Sequence, residues 1–434
     1  MRLNVALTTG VYVLALTIGT AAQGASQNQY DQAVARVRAS APFTTAMTIL
    51  DRDHGRLVEE IITLTEIPAP PFKEERRAKA YLEMLRATGA LTDLEIDAEG
   101  NAMGLWKGTG GASAPLIAVA AHLDTVFPEG TDVTVKRDGT RLTAPGIGDD
   151  TRSLAVLLAM IRAMKEAGVQ TTSDILFIGN VGEEGQGDLR GVKFLFQKGK
   201  YKDRITQFIS VDGAGGGADI THGGVGSRRY RVTFKGPGGH SYGAFGLVSP
   251  AFAQAGAMQR FGKLKVPSDP KTTYSVGVVG GGTSVNSIPF ETFMEIDMRS
   301  ESRDELRKLD EAFLSIINEA VQEENAARST AQGPITADIK LIGDRPSGET
   351  PITSAIVETA AASIRAAGGR PTYSWSSTDS NIPISMGIPA ITIDSGGRGG
   401  RAHALDEWIS VDKVPSLRGI EIAMATLLTL AGSR

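Results

Sequence analysis

Four short apolar runs punctuate this chain, and each leads into groups that a protein seldom leaves beside its core. Leu116 to Ala121 runs into His122-Leu123-Asp124, Asp174 to Val181 into Glu183-Glu184, and Arg204 to Val211 into Asp212. A fourth run, Pro389 to Ile393, precedes the glycine-rich loop that leads to His403. Runs of this kind read as strands of an open α/β sheet, whose ligands gather in the crevice beyond the strands' carboxyl ends. With Gly148-Asp149-Asp150 added, two imidazoles and several carboxylates surround one cleft. So much negative charge repels itself or takes up protons unless cations sit among it. A divalent metal held by mixed nitrogen and oxygen ligands is the simplest resolution.

The chain has 434 residues, 41% hydrophobic and 22% charged, an ordinary globular balance with length for two cored domains. A formal net charge of −4, with no basic-aromatic stripe, argues against nucleic acid as a partner. The absence of cysteine excludes disulfides, thiolate zinc sites and a Cys nucleophile, and there is no GxSxG elbow.

Met1-Arg2-Leu3-Asn4 precedes an apolar stretch from Val5 to Leu16, broken by Thr8, Thr9 and Gly10, and then small residues through Ala22. One positive charge, a short apolar core and an Ala-rich region form the layout of a secretory signal over residues 1–25. A membrane anchor is the alternative, and the interrupted run is short for one. The expectation is cleavage near Ala22 to Ala25, a periplasmic or secreted mature protein, and no stable membrane association afterwards.

Tyr30 to Ala39, Asp51 to Glu66 and, beyond the turn at Pro68-Ala69-Pro70-Pro71, Lys73 to Thr88 read as helices. Leu94 to Asp97 and Asn101 to Lys107 read as paired strands. Asp150 to Ala167 places Leu154, Leu157, Leu158, Ile161 and Met164 on one face and ends at Gly168. Asp149-Asp150 would stand at its start, where carboxylates suit the orphan N–H groups and the helix dipole. After Gly223-Gly224 the pattern becomes strand (Arg228 to Lys235), helix (Pro250 to Phe261) and two strands (Ser275 to Val279, Phe290 to Arg299). A long helix (Ser302 to Asn325) and a strand (Ile335 to Ile342) complete a βαββαβ unit. The helix Thr353 to Ala367 and the strand before His403 arrive only later. The expected organisation is a catalytic domain in two parts, 26–224 and 345–434, with a small domain inserted at 225–344.

His122 and Asp124 fall on one side of an extended segment, so the imidazole can bind metal while the carboxylate holds its other nitrogen. Asp149-Asp150 could equally be a helix cap, Glu183-Glu184 a solvated turn, Asp212 a turn residue and His403 a surface histidine. Each bland reading is tenable alone. Their joint occurrence at successive strand ends is not accounted for that way.

Taken in order, AHLDTV (121–126), GIGDD (146–150), GEEG (182–185), SVDG (210–213), GPGGHS (236–241) and AHALDEW (402–408) resemble the motifs of the M20 family of co-catalytic zinc peptidases. That family includes tripeptide aminopeptidases, glutamate carboxypeptidases, succinyl-diaminopimelate desuccinylases and aminoacylases, and the tripeptidase-like branch looks nearest. The resemblance covers nearly the whole mature chain. It implies a zinc-exopeptidase-like α/β/α catalytic domain carrying an inserted ferredoxin-like lid or dimerisation domain, and hence a homodimer. It implies hydrolysis of an amide bond in short peptides by a water that two Zn2+ ions activate, Mn2+ or Co2+ being substitutes. Action on an N-acyl amino acid is the alternative on the same core.

Carried over residue by residue, His122, Asp149 and Asp212 resemble the ligands of one metal, and Glu184, Asp149 and His403 those of the second. Glu183 resembles the general base, and Asp124 the carboxylate that orients His122. His240 matches a histidine that reaches an active site, often the other subunit's, and stabilises the oxyanion; a surface turn histidine is the alternative. Asn286 and Arg299 match substrate-binding positions. An arginine can grip a carboxylate with two parallel hydrogen bonds, although Arg299 could instead be a surface ion-pair partner. Arg398 and Arg401 are weaker candidates for that role. Where the family often reads DDKxG or DMKGG, this chain has Asp149-Asp150-Thr151-Arg152-Ser153, a departure that concerns helix packing or substrate contact and leaves the metal ligand in place.

Overall fold

Leu116–His122 and Asp174–Asn180 are buried at every residue, which a strand achieves only when both faces of its sheet are covered. A computed structural model describes residues 29–111 and 113–433; the expected signal segment, 1–25, lies outside them. The main sheet runs in the order Thr92–Ile96, Ala102–Trp106, Asp174–Asn180, Leu116–His122, Ile205–Val211, Ala390–Ile393, Asp219–Gly224 and Gly348–Glu349. Thr372–Ser376 pairs beside Asp219–Gly224. The four strands expected from their apolar runs are the adjacent, mutually parallel centre of this sheet.

Alternation along Leu116–His122 divides the core between two layers. Ile117, Val119 and Ala121 pack with the helices Ala41–Arg52, His54–Thr65, Glu75–Ala87, Arg152–Glu166, Ala355–Ala366 and Lys413–Leu430. Leu116, Ala118 and Ala120 face Arg190–Gln197 and Asn381–Ser385 on the other side. The result is the expected α/β/α sandwich. Leu154, Leu157, Leu158, Ile161 and Met164 of Arg152–Glu166 are fully buried, each contributing about 1.5–3 kcal/mol by leaving water.

Two local expectations change. The helix expected over Asp51 to Glu66 begins only at His54 and runs to Thr65, and an unexpected helix, Ala41–Arg52, precedes it and meets it at Asp53. Ser40 accepts a hydrogen bond from the Phe43 N–H and caps the earlier helix, with proline in its opening turn. The helix expected from Asp150 starts at Arg152, after a wide turn over Ile147–Thr151 in which Asp149 and Asp150 have non-helical dihedrals. Neither aspartate caps the helix, because both carboxylates are engaged elsewhere.

The inserted domain is an antiparallel sheet in the order Thr272–Gly281, Glu291–Ser300, Gly226–Lys235 and Thr336–Arg345. One face of that sheet carries Val232, Phe234, Met294 and Ile296 against Phe261 of Pro250–Phe261 and Phe313 of Arg303–Ala327. This is the ferredoxin-like arrangement the sequence order predicts. A separate small sheet joins Arg398–Gly400, Trp408–Ser410, Arg141–Thr143 and Lys136–Asp138. No helix among the described residues is long and apolar enough to cross a membrane.

Candidate active site

The carboxyl ends of the central strands deliver the expected residues to one place. His122 is the last residue of its strand and is buried. Asp212 follows Ile205–Val211, with its N–H donating to the Ile393 carbonyl at 2.9 Å. Asp149 joins the two imidazoles: its Oδ1 lies 2.9 Å from His122 Nε2 and its Oδ2 3.2 Å from His403 Nε2. Glu184 Oε1 is 3.0 Å from His403 Nε2, and Asp212 Oδ1 is 4.0 Å from His122 Nε2. Two groups therefore form, His122 with Asp149 and Asp212, and His403 with Asp149 and Glu184.

Asp124 is placed differently from its expected role. His122 Nδ1 faces the backbone carbonyl of Asp124 at 3.0 Å, while the carboxylate stands 3.7 Å away. A ring nitrogen opposite a carbonyl must carry the proton, which leaves Nε2 as the ligating atom. The Asp124 carboxylate accepts instead from the N–H groups of Glu183 and Glu184, at 3.0 and 2.8 Å. It fixes the glutamate turn, whose donors take both of its oxygens.

Three further residues support the site: Asp150, which the sequence offered as a helix cap, and Glu407 and Arg345, which it did not single out. Asp150 accepts from the His122 and Gly213 N–H groups, each at 3.1 Å, and so ties two ligand-bearing segments together. Its oxygen also lies within 4.8 Å of the ligating atoms of His122 and Asp212, but both its oxygens already serve backbone donors. Glu407 accepts from Gly146, Gly148 and Asp149 N–H at 2.9, 2.7 and 2.9 Å. His403 sits in the loop between Arg398–Gly400 and Trp408–Ser410, with a left-handed φ of 64°. Glu407, in the same loop, thereby locks it to the turn that carries Asp149. The third, Arg345, is buried and donates to Glu183 Oε1 at 3.2 Å.

These groups border a cavity of about 420 Å3, lined by Asp149, Glu183, Glu184, Asp212 and His403 and faced by Arg229, Arg299 and Arg345. Arg299 is both ion-paired and inside the cleft: Asp297 accepts from Arg299 Nε at 2.7 Å and from Arg229 Nε at 2.9 Å. His240 and Asn286 do not line this cavity. They meet on an exposed two-stranded ribbon of the lid, where Gly239–His240 pairs with Ser287–Ile288 and the Ser241 N–H donates to the Asn286 carbonyl at 2.9 Å. Arg398 and Arg401 also lie outside the lining, and Arg401 pairs with Asp406 at 2.9 Å.

The protein's own groups answer the crowded charge with protons. Burial pushes Glu183 up to about 8, against the pull of the Arg345 guanidinium. Burial and neighbouring carboxylates hold Asp212 and Asp150 well above the usual range. Hydrogen bonds to Asp149 and Glu184 raise His403 to about 10. Asp149 is itself buried, yet the two histidines keep it below the usual carboxylate range. A cluster that holds protons between imidazoles and carboxylates offers the mixed donor set that suits divalent ions of the zinc type. The residues present fit a dinuclear site.

A model described as peptidase family M20/M25/M40 matches residues 118–429. The chain is 24% identical over 233 residues to carboxypeptidase G2 of Pseudomonas sp. (strain RS-16). That match covers 50% of this chain and 54% of the relative, so the chain spans about half the length of that protein. In fold it is similar to aminopeptidase PepT from Bacillus cereus ATCC 10987, with a TM-score of 0.68 and 20% identity over 87% of this chain and 99% of that one. It is also similar to the dipeptidase Dug1p from Saccharomyces cerevisiae, with a TM-score of 0.71 and 15% identity over 90% and 99%.

Proposed function

The chain belongs to peptidase family M20/M25/M40, and from that we propose that it hydrolyses the amide bond of short peptides with two Zn2+ ions, Mn2+ or Co2+ serving in their place. The observation that carries this reading is Asp149, whose two oxygens address different imidazoles while Glu183 borders the same cleft. His122, Asp149 and Asp212 would hold one ion, and Asp149, Glu184 and His403 the other. Bound there, the ions would polarise the amide carbonyl and make water a stronger nucleophile. Glu183 takes a proton from the attacking water at a carboxylate oxygen and delivers it to the leaving nitrogen. Arg299 presents N–H donors to a substrate carboxylate. The lid excludes bulk water when it closes over the cleft.

An N-acyl amino acid offers the same amide and the same carboxylate, so acylase activity is the alternative. A panel of di- and tripeptides against N-acetyl and longer N-acyl amino acids, run on the metal-loaded mature protein, decides between them. Peptide turnover is expected; turnover confined to N-acyl substrates would reassign the enzyme.

A homodimer completes the proposal. His240 and Asn286 stand on a two-stranded ribbon of the lid whose neighbours Tyr242 and Phe245 are 89% and 90% exposed. A second copy would cover those rings and receive His240 as its oxyanion donor. Mixing His240→Ala with Glu183→Gln subunits should regenerate one intact site per mixed dimer, and no gain over either parent would rule out action across subunits. We further propose export, with cleavage near Ala22 to Ala25. N-terminal sequencing that still begins at Met1 would exclude it.

A further inference from the structure

Arg345 ends the strand Thr336–Arg345 and pairs with Ser227, at the start of the neighbouring lid strand Gly226–Lys235. It therefore stands where the chain crosses between the two domains. Its side chain is buried, an unusual place for a guanidinium without a partner of opposite charge. The nearer partner is Glu183, with Asp188 Oδ1 farther off at 4.0 Å from Nε. Nη1 donates to Glu183 Oε1 at 3.2 Å and to Ser377 Oγ at 3.1 Å, while Nη2 donates to the backbone carbonyl of the same glutamate. One planar fork thus grips a single residue at both its carboxylate and its main chain, which removes the freedom of the side-chain torsions between those points. From the other side the Glu183 N–H is held by Asp124 Oδ1 at 3.0 Å.

Arg345 is itself anchored to the catalytic domain. The Asp344 N–H donates to Asp188 Oδ1 at 2.9 Å, and Lys193 Nζ donates to the Asp344 carbonyl at 2.9 Å. The end of the lid strand is in this way fastened beside the glutamate loop. With Oε1 engaged by the guanidinium, Oε2 is the oxygen Glu183 has for the cleft it lines.

We propose that Arg345 is a positioning residue that fixes the Glu183 carboxylate for proton transfer, a task distinct from holding metal or substrate. The proposal rests on Glu183 as the general base, and the test separates the two ideas. Kinetics, bound metal and melting temperature would be measured for Glu183→Gln, Arg345→Met, Arg345→Lys and the double variant Glu183→Gln/Arg345→Met. Arg345→Met should lower kcat between about 10- and 100-fold, the scale of a misplaced catalytic group, with KM within about twofold. Both metals should stay bound. In the Glu183→Gln background the same change should have little further effect, because groups that act as a unit are not additive. Arg345→Lys keeps the charge but not the fork, so its kcat should fall between wild type and Arg345→Met; it serves the same cycle if Arg345→Met does not fold. A full additional loss in the double variant would mark Arg345 as a general structural brace and overturn the proposal. A wild-type kcat in Arg345→Met would do the same. If Glu183→Gln alone left kcat unchanged, the general-base reading would fall first, whatever Arg345 did.

Discussion

Glu407 gives the sharpest test of how the site is built, because its carboxylate serves three backbone donors and nothing else in the loop replaces it. It is buried, and it accepts from Gly148 and Asp149 at Oε1 and from Gly146 at Oε2. Each buried N–H left without a partner costs about 1–3 kcal/mol. Glu407→Ala strands three of them, a loss of about 3–9 kcal/mol that water entering the new space would hold to the lower half. Glu407→Gln can keep its amide oxygen at the Oε1 position, retaining two bonds, while its NH2 group faces the Gly146 donor. Its loss should be about 1–3 kcal/mol. Urea unfolding in the presence of a chelator, so that metal binding does not mask the difference, reads both values. The functional consequence differs in kind. The backbone of Asp149 is held by this contact, so Glu407→Ala should also lose metal affinity, whereas Glu407→Gln should keep most of it. If Glu407→Ala unfolded within about 0.5 kcal/mol of wild type, the typical range of an unremarkable surface change, the three contacts would not be structural. Equal losses in the two variants would refute the bond-by-bond reasoning.

Three further outcomes follow from the same geometry. Glu183→Gln should retain both metals and near-normal KM while kcat falls by roughly 10² or more; Glu184→Gln, whose carboxylate contacts His403, should weaken one metal site and be partly rescued by added zinc, and the reverse pattern would exchange their roles. Asp149→Ala should lose activity and most bound metal together, and prolonged chelation should silence the wild type; a full metal complement in an inactive Asp149→Ala would contradict its shared position. Metal affinity should fall as pH falls, because Asp212 is held above the usual range and His403 near 10, so their protonated forms compete with the ion. Calorimetry in buffers of different ionisation enthalpy should show protons released on binding, and none released would sink that account.

The central strands were legible because residues buried on both faces leave continuous apolar runs, and the lid was legible because its helices and strands keep distinct periods. Boundaries failed where two signals abut. Ser40-Ala41-Pro42 is a start signal for a new helix, yet it also looks like the end of the one before. Asp149-Asp150 has the composition of a helix cap, and only the tertiary partners reveal that the helix waits until Arg152. Arg345 carries no local signature, and Glu407 falls within the AHALDEW motif with nothing local to assign it a task. Their partners lie far away in sequence, and nothing in spacing or hydrophobic pattern marks a charged residue whose role is to satisfy a distant turn. The sequence thus exposes the groups that would meet metal, since chemistry restricts their type, and hides the groups that aim them.

The lid shows the same division within a single set of expected residues. Arg299 lies on Glu291–Ser300, a strand whose burial alternates, so side chains that do not enter the lid core emerge on the face toward the cleft, where Asp297, itself held by Arg229, steadies it. His240 and Asn286 lie instead on a separate two-stranded ribbon, outside the cavity that Arg299 faces. One domain therefore offers groups to two different places. A carboxylate gripped by Arg299 can be served by the same chain that holds the metal. An oxyanion donor from His240 requires this ribbon to reach a cleft it does not line, through lid rotation or in a second copy. The proposed homodimer takes the second route, and a second copy seated there would also bury the exposed rings of Tyr242 and Phe245.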